Sequence, residues 1–266
     1  MKGEKLMAVI GAVLGDIAGS QFEFNRPENL DYKHCELFTS RCSYTDDTIM
    51  TLAVKKAILE NADFTKTMRE IGQPYPYSGY GGRFYEWMYG ENPKPYNSFG
   101  NGSAMRVSFV GEHFDALEDV ISMAEKSAEV THNHPEGIKG AVVTAVCIWM
   151  ARHGKTKEDI FQYVLEQYPA EKYEYSIAVP LDKLEKIYQW NETCMESVPA
   201  AMCCFYESDS YESFLRNVFR LKCDSDTLAA IGGAVAEEYY GWTGFYNEDE
   251  LLKKYLDANL YNLVKL

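Results

Sequence analysis

Positive charge is in short supply: 26 Lys and Arg stand against 40 Asp and Glu in 266 residues, a formal net charge of −14. Such a chain offers no general electrostatic footprint for a nucleic-acid backbone or an anionic membrane surface, and its partners are expected among cations and small ligands. Long apolar runs are missing too. The longest, Ala141 to Ala151, is interrupted only by Thr144, is too short to span a bilayer and lies between Lys139 and Arg152, so it reads as a buried helix. The seven cysteines contain no C-x-x-C, are odd in number, and include the adjacent Cys203 and Cys204. Neither a disulfide framework nor a zinc knuckle fits that spacing, and they read as reduced thiols of a cytoplasmic protein. Two lysines precede the first apolar stretch, but Asp16 and the motifs beyond it argue that this segment is retained rather than cleaved as a signal peptide. No linker rich in Pro, Ser or charge divides the chain and no tandem repeat is visible, so residues 1–266 read as one domain.

Strict alternation of apolar and polar residues is nearly absent, while helical spacing recurs. Ile49, Leu52, Ala53, Lys56 and Ala57 follow TDDT; Ile160, Phe161, Val164, Leu165 and Tyr168 follow KTKED. Phe214, Leu215, Val218 and Phe219, and near the end Leu251, Leu252, Tyr255 and Leu256, repeat the pattern. These predict amphipathic helices. Residues 7–18, 137–151 and 227–240 are instead rich in Gly, Ala and Val around most of their circumference, which predicts three closely packed helices at the centre of an all-helical bundle with the striped helices outside. Between Gly72 and Ser103, four prolines, seven glycines and several tyrosines exclude a long helix. A long aromatic loop of this kind is expected to be functional.

One short echo carries chemistry. Thr45-Asp46-Asp47-Thr48-Ile49 and Asp224-Ser225-Asp226-Thr227-Leu228 each open an apolar helix, about 180 residues apart. Either alone reads equally as an N-cap, which satisfies free backbone N–H groups and complements the helix dipole. Together they bring more acid than capping requires. If the two helix mouths meet, four carboxylates converge, and like charges about 4 Å apart repel by roughly 4 kcal/mol per pair at an effective dielectric near 20. Neither motif holds an Arg or Lys to neutralise them. Hard oxygen ligands from Asp and Thr suit Mg2+, Mn2+ or Ca2+ rather than zinc, and four carboxylates match two divalent ions in charge.

The segments GAVLGDIAGSQFEF, YTDDTIMTLAV, SGYGGRF, SFGNGSAMRV, THNHPEGIKGA and CDSDTLAAIGGAVAEEYYG, in this order, resemble the ADP-ribosylglycohydrolase family, from about residue 8 to residue 241. The resemblance implies an all-α orthogonal bundle with long Gly/Pro/Tyr loops over a metal cleft, and a centre of two Mg2+, with Mn2+ as the alternative. It implies Thr45, Asp46, Asp47, Asp224, Asp226 and Thr227 as metal ligands, and Glu23 as an acidic residue beside them. Ser98, Phe99, Gly100, Asn101 and Gly102 match the segment that holds ribose and diphosphate, where glycines let backbone N–H groups reach phosphate oxygens. His132 matches a position near the substrate. Tyr77, Tyr80 and Phe99 are candidates to stack on adenine or to pack as ordinary loop residues.

The activity so implied is hydrolysis of the glycosidic bond between ADP-ribose and an acceptor, with Glu23 or Asp46 as general base. The partner would be an ADP-ribosylated protein or a small ADP-ribose conjugate. Two alternatives stand beside it: an ADP-ribose-binding protein without turnover, and a helical Mg2+-dependent nucleotide pyrophosphohydrolase, for which a Glu-x-x-Glu-Asp cluster is lacking. Arg106 reads as structural. One departure from the family pattern is Lys222-Cys223 where two glycines are common before the second aspartate motif, a change expected to narrow the cleft or to add a cation near metal or diphosphate.

Overall fold

The computed structural model describes residues 8–245 and 247–266; Met7, with which the first small-residue segment begins, and Lys2 and Lys5 lie outside them. The chain runs through α1 (Ala8–Ser20), α2 (Asp46–Leu59), α3 (Phe64–Gly72), α4 (Gly82–Tyr89) and α5 (Gly102–Met105). It continues through α6 (Ser108–His113), α7 (Leu117–Glu129), α8 (Pro135–Arg152), α9 (Lys157–Gln167) and α10 (Leu181–Ile187). The last third holds α11 (Cys194–Tyr206), α12 (Tyr211–Arg220), α13 (Ser225–Tyr240), α14 (Glu248–Tyr255) and α15 (Ala258–Lys265). No strand forms among the described residues, as the missing alternation predicts; a lone antiparallel bridge joins Gly100 to Thr193.

α1 and α13 make the centre. Gly11, Gly15 and Gly19, spaced by four, fall on one side of α1. A Cβ at these positions would stand 2.4 Å from the carbonyl oxygen of Gly233, 2.2 Å from that of Ala229 and 2.4 Å from that of Ser225. α13 answers with small residues at the same spacing, so the two backbones touch directly. Ser225 Oγ donates to Gly19 O at 2.8 Å and seals the end of the contact. The consequence is positional: the C-terminal end of α1 and the N-terminal end of α13, each carrying acid, are held side by side.

α8 packs on α13 as the third small-residue helix, with α7 and α6 on its other sides. α2 departs from the expected outer, striped helix. Its residues Asp47 to Lys55 are all buried, and Lys55 reaches the carbonyl of Val264 at 2.7 Å with its ammonium 5.7 Å from the Phe109 ring. α11 is a further buried helix, with Pro199 inside it. Between α3 and α5 the Gly/Pro/Tyr segment is loop except for the eight residues of α4. The buried apolar side chains form one continuous cluster from Ala8 to Val264.

Candidate active site

Asp16 is the only acid in α1 and is fully buried. It accepts from Thr45 N at 3.0 Å, Thr45 Oγ1 at 2.8 Å, Thr48 N at 3.0 Å and Thr48 Oγ1. One carboxylate thereby fastens the start of α2 to the end of α1. Thr45 caps α2, accepting from Asp47 N at 3.2 Å. The capping reading of the first motif therefore holds for Thr45, and its acids are left over for other work. Asp46 N is taken by Ser78 O at 2.7 Å, and Gly79, at φ +94°, lies so close that a Cβ there would stand 3.0 Å from Asp46 Oδ1. The left-handed backbone and the missing side chain together let the SGYGG loop sit on Asp46.

The two aspartate motifs meet. Thr227 Oγ1 donates to Asp47 Oδ2 at 3.2 Å across 180 residues of sequence. Asp46, Asp47, Asp224, Asp226, Thr227 and Glu23 line one cavity of about 270 Å3. Glu23, Asp224 and Asp226 each offer an oxygen within 4.8 Å of the others. Thr45 stands behind this wall, bonded to Asp16.

Burial first, and then the neighbouring carboxylates, push Asp46, Asp47 and Asp226 well above the usual carboxylate range. Burial and the charge of Asp224 raise Glu23 to about 7, and burial raises Asp16 to about 6 against its four donors. Burial raises Asp224 as well, and hydrogen bonding with Asp226 and Asn101 works against that rise. Two oxygens, Asp47 Oδ1 and Asp226 Oδ1, are buried without any hydrogen-bond partner. Unpartnered carboxylate oxygens among mutually repelling acids are what a divalent cation would satisfy, so the residues fit a hard metal ion.

The same cavity also carries the other sign. Arg83, Arg106 and His132 line it beside Ser98, Gly100, Asn101 and Gly102. Arg106 is fully buried and donates from Nη2 to Ser127 O at 2.7 Å and Thr131 Oγ1 at 3.0 Å, while Nε and Nη1 find no partner. Thr131 Oγ1 lies 2.7 Å from His132 Nδ1. The threonine oxygen already accepts from Arg106, and its single hydroxyl proton is satisfied by donating to Nδ1. That leaves Nε2 carrying hydrogen, 3.3 Å from where a Cβ on Gly102 would be. Burial and the charge of Arg106 hold the His132 pKa well below its usual value, so the ring is a neutral donor facing the glycines.

Asn101 Nδ2 is engaged with Asp224 Oδ2 at 2.8 Å and Ser197 Oγ at 3.1 Å, and its backbone N–H with Glu192 O at 2.8 Å. It ties the glycine segment to the acidic cluster. Ser98 Oγ accepts from Gly100 N at 3.1 Å. Phe99, 44% exposed, packs against His134 and does not line the cavity; Tyr77 is 98% exposed and Tyr80 donates to Gly72 O. Neither Lys222 nor Cys223 lines the cavity. Sequence reasoning missed Asp16, Arg83, Arg106 and Glu192 as parts of the site. For Asp16 a signal was present: it is the single charge in a helix otherwise fit only for burial.

The chain belongs to the ADP-ribosylglycohydrolase family, whose sequence profile matches residues 5–259. It is similar to the ADP-ribosylhydrolase ARH3 of Homo sapiens, at 28% identity over 87% of this chain and 84% of that protein. ARH3 of Mus musculus matches at 26% identity over 87% and 82%. A solved structure described as an ADP-ribosylglycohydrolase-related protein complex shares the fold, with a TM-score of 0.72 over 97% of this chain and 94% of that one, at 21% identity.

Proposed function

We propose that the protein hydrolyses the glycosidic bond between ADP-ribose and an acceptor, using two divalent ions, Mg2+ or Mn2+, held by Asp46, Asp47, Asp224, Asp226 and Thr227, while Thr45, the remaining expected ligand, serves as the cap of α2 bonded to Asp16. The observation that carries this reading is the polarity of one cavity. Carboxylates from motifs 180 residues apart line it together with Arg83, Arg106 and the neutral His132. ADP-ribose has matching parts: a ribose whose hydroxyls suit hard cations, and a diphosphate that suits buried arginines and N–H donors.

When bound, the ions supply charge that grips the ribose hydroxyls and lowers the pKa of a water. The chain does the rest. Arg106, His132 and the glycine segment hold the diphosphate, which fixes the anomeric carbon over the acids. Glu23 or Asp46 takes a proton from the water as its oxygen bonds to that carbon, the bond to the acceptor breaks, and the departing acceptor receives that proton, so that the base is regenerated. Asp16 touches no substrate; it positions Thr45 and Thr48.

Mass spectrometry of the products from ADP-ribosylated acceptors is the direct test. Intact ADP-ribose and unmodified acceptor are expected, with rates lower by at least about a hundredfold in folded Asp47→Asn and Asp226→Asn proteins, the scale of losing one transition-state contact. Release of AMP would instead support the pyrophosphohydrolase reading. ADP-ribose binding with no product from any acceptor would reduce the protein to a binding module.

A further inference from the structure

Beside the acidic cavity lies an outer groove of about 360 Å3 that shares a single wall residue with it, Glu23. Three loops build both. The first gives Glu23 to the cavity and Phe24 to the groove, the second gives Glu192 and Trp190, and the third gives Asp224 and Lys222-Cys223. None of Ser98, Gly100, Asn101, Gly102, Arg106 and His132 reaches the groove. It therefore adjoins the cavity at its acidic residues rather than at the glycine segment.

Two features of the groove face solvent. Phe24 is 74% exposed and Trp190 42%, their ring centroids 6.4 Å apart at 43°, so together they form an aromatic ledge in water. Lys222 is exposed and makes no hydrogen bond or ion pair among the described residues. The other cation, Arg26, gives its Nη groups to the carbonyls of Pro27, Phe219 and Arg220 and serves the fold. The Cys223 thiol is buried and turned toward Val218 O.

Resting on the hydrolase reading, we infer that this groove is the acceptor subsite and that it takes a peptide: an apolar stretch of the chain lies on Phe24 and Trp190, and a carboxylate beside the modified residue pairs with Lys222. With the diphosphate at the glycine segment, the groove that adjoins the acids at Glu23 gives a substituent on the anomeric carbon a path outward. The net charge of −14 opposes a long polyanion, whereas one carboxylate meets the one free ammonium on the ledge. The Lys222-Cys223 departure thus bears on acceptor choice and leaves the inner cavity untouched.

The test compares kcat/KM on four substrates: a peptide ADP-ribosylated on one side chain with Glu next to it, the same peptide with Gln there, an ADP-ribosylated free amino acid, and an ADP-ribosylated oligonucleotide. The wild-type protein is expected to favour the Glu peptide over the Gln peptide by about three- to fivefold, the range of an exposed ion pair. Lys222→Gly should erase that preference, and Phe24→Ala with Trp190→Ala should raise KM for both peptides. Every variant should treat the free amino-acid conjugate as wild type does, which also verifies folding. Equal rates on both peptides, an equal loss on all substrates, or a preference for the oligonucleotide would overturn the peptide subsite. If no conjugate is hydrolysed, the hydrolase reading fails by itself, and competition against bound ADP-ribose decides the groove: the Glu peptide must compete better than the Gln peptide, and only while Lys222 is present.

Discussion

A carboxylate is costly to bury, and this protein buries Asp16, Asp47, Asp224 and Asp226 within one neighbourhood. Each has a different answer to that cost. Asp16 receives four donors, Asp224 receives Asn101, and Asp47 and Asp226 each keep one oxygen unpartnered for a cation. His132 is their counterpart in the same cavity, and its tautomer depends on Thr131. Thr131→Val removes the hydroxyl that holds Nδ1, so ADP-ribose affinity should fall about fivefold, as for one lost hydrogen bond, and Thr131→Ser should restore it. Nitrogen-15 spectra of the ring are expected to show hydrogen on Nε2 in the wild-type protein and a tautomer mixture in the valine variant; hydrogen on Nδ1 in the wild type would refute the arrangement. At this scale the sequence was most legible where residue type alone decides the chemistry, as in the two aspartate motifs. It was least legible where orientation decides. Phe99 sits in the predicted substrate segment, yet its ring turns to His134, and no pattern of residue types reveals which way a ring points.

Among the elements, the contact of α1 with α13 sets the spacing of the acids. Gly15→Ala would press a methyl against the Ala229 carbonyl at 2.2 Å, where backbone rather than a flexible side chain must move. A loss of about 2–3 kcal/mol is expected, read as a lower melting temperature, with weaker cation binding because α1 carries Asp16. An unchanged melt would mean that the helices do not lie this close. The small-residue periodicity made this pair readable in advance. α2 was misplaced as an outer helix because Lys55 reads as a solvent residue, whereas it caps the carbonyl end of α15 from inside. α11 escaped notice because Pro199 reads as a helix breaker, although buried apolar neighbours on all sides keep the helix in place.

For the molecule as a whole, the crowding of acids within the cavity governs its response to pH. Glu23 and Asp16 have pKa values raised to about 7 and about 6, so the metal-free folded protein binds protons that the unfolded chain releases near pH 4. The stability contributed by those protons is complete below about pH 4 and is lost as pH rises through 6 and 7. Metal-free protein should therefore melt higher at about pH 5.5 than at about pH 8. His132, held neutral, opposes this on acidification, but it is one group against several carboxyls. Saturating Mg2+ keeps the acids ionised, so it should stabilise most at high pH and flatten or reverse the slope. A metal-free protein that melts lower at the acid end would show that the acids are already neutralised by other means.

The family and the helical class could be read from the order of six short motifs, since each needs only local residue types. The cavity's cationic lining could not, because Arg83 and Arg106 gain their meaning only when the fold puts them on the same wall as the acids. The meeting of the two aspartate motifs is tested most directly by titrating Mn2+ calorimetrically into wild-type, Asp47→Asn, Asp226→Asn and doubly substituted protein. A shared site requires each single change to weaken binding at least about tenfold and the double change to cost far less than the product of the two, as for residues acting on one ligand. Two unaffected single variants, or losses that simply multiply, would show that the acids serve separate purposes.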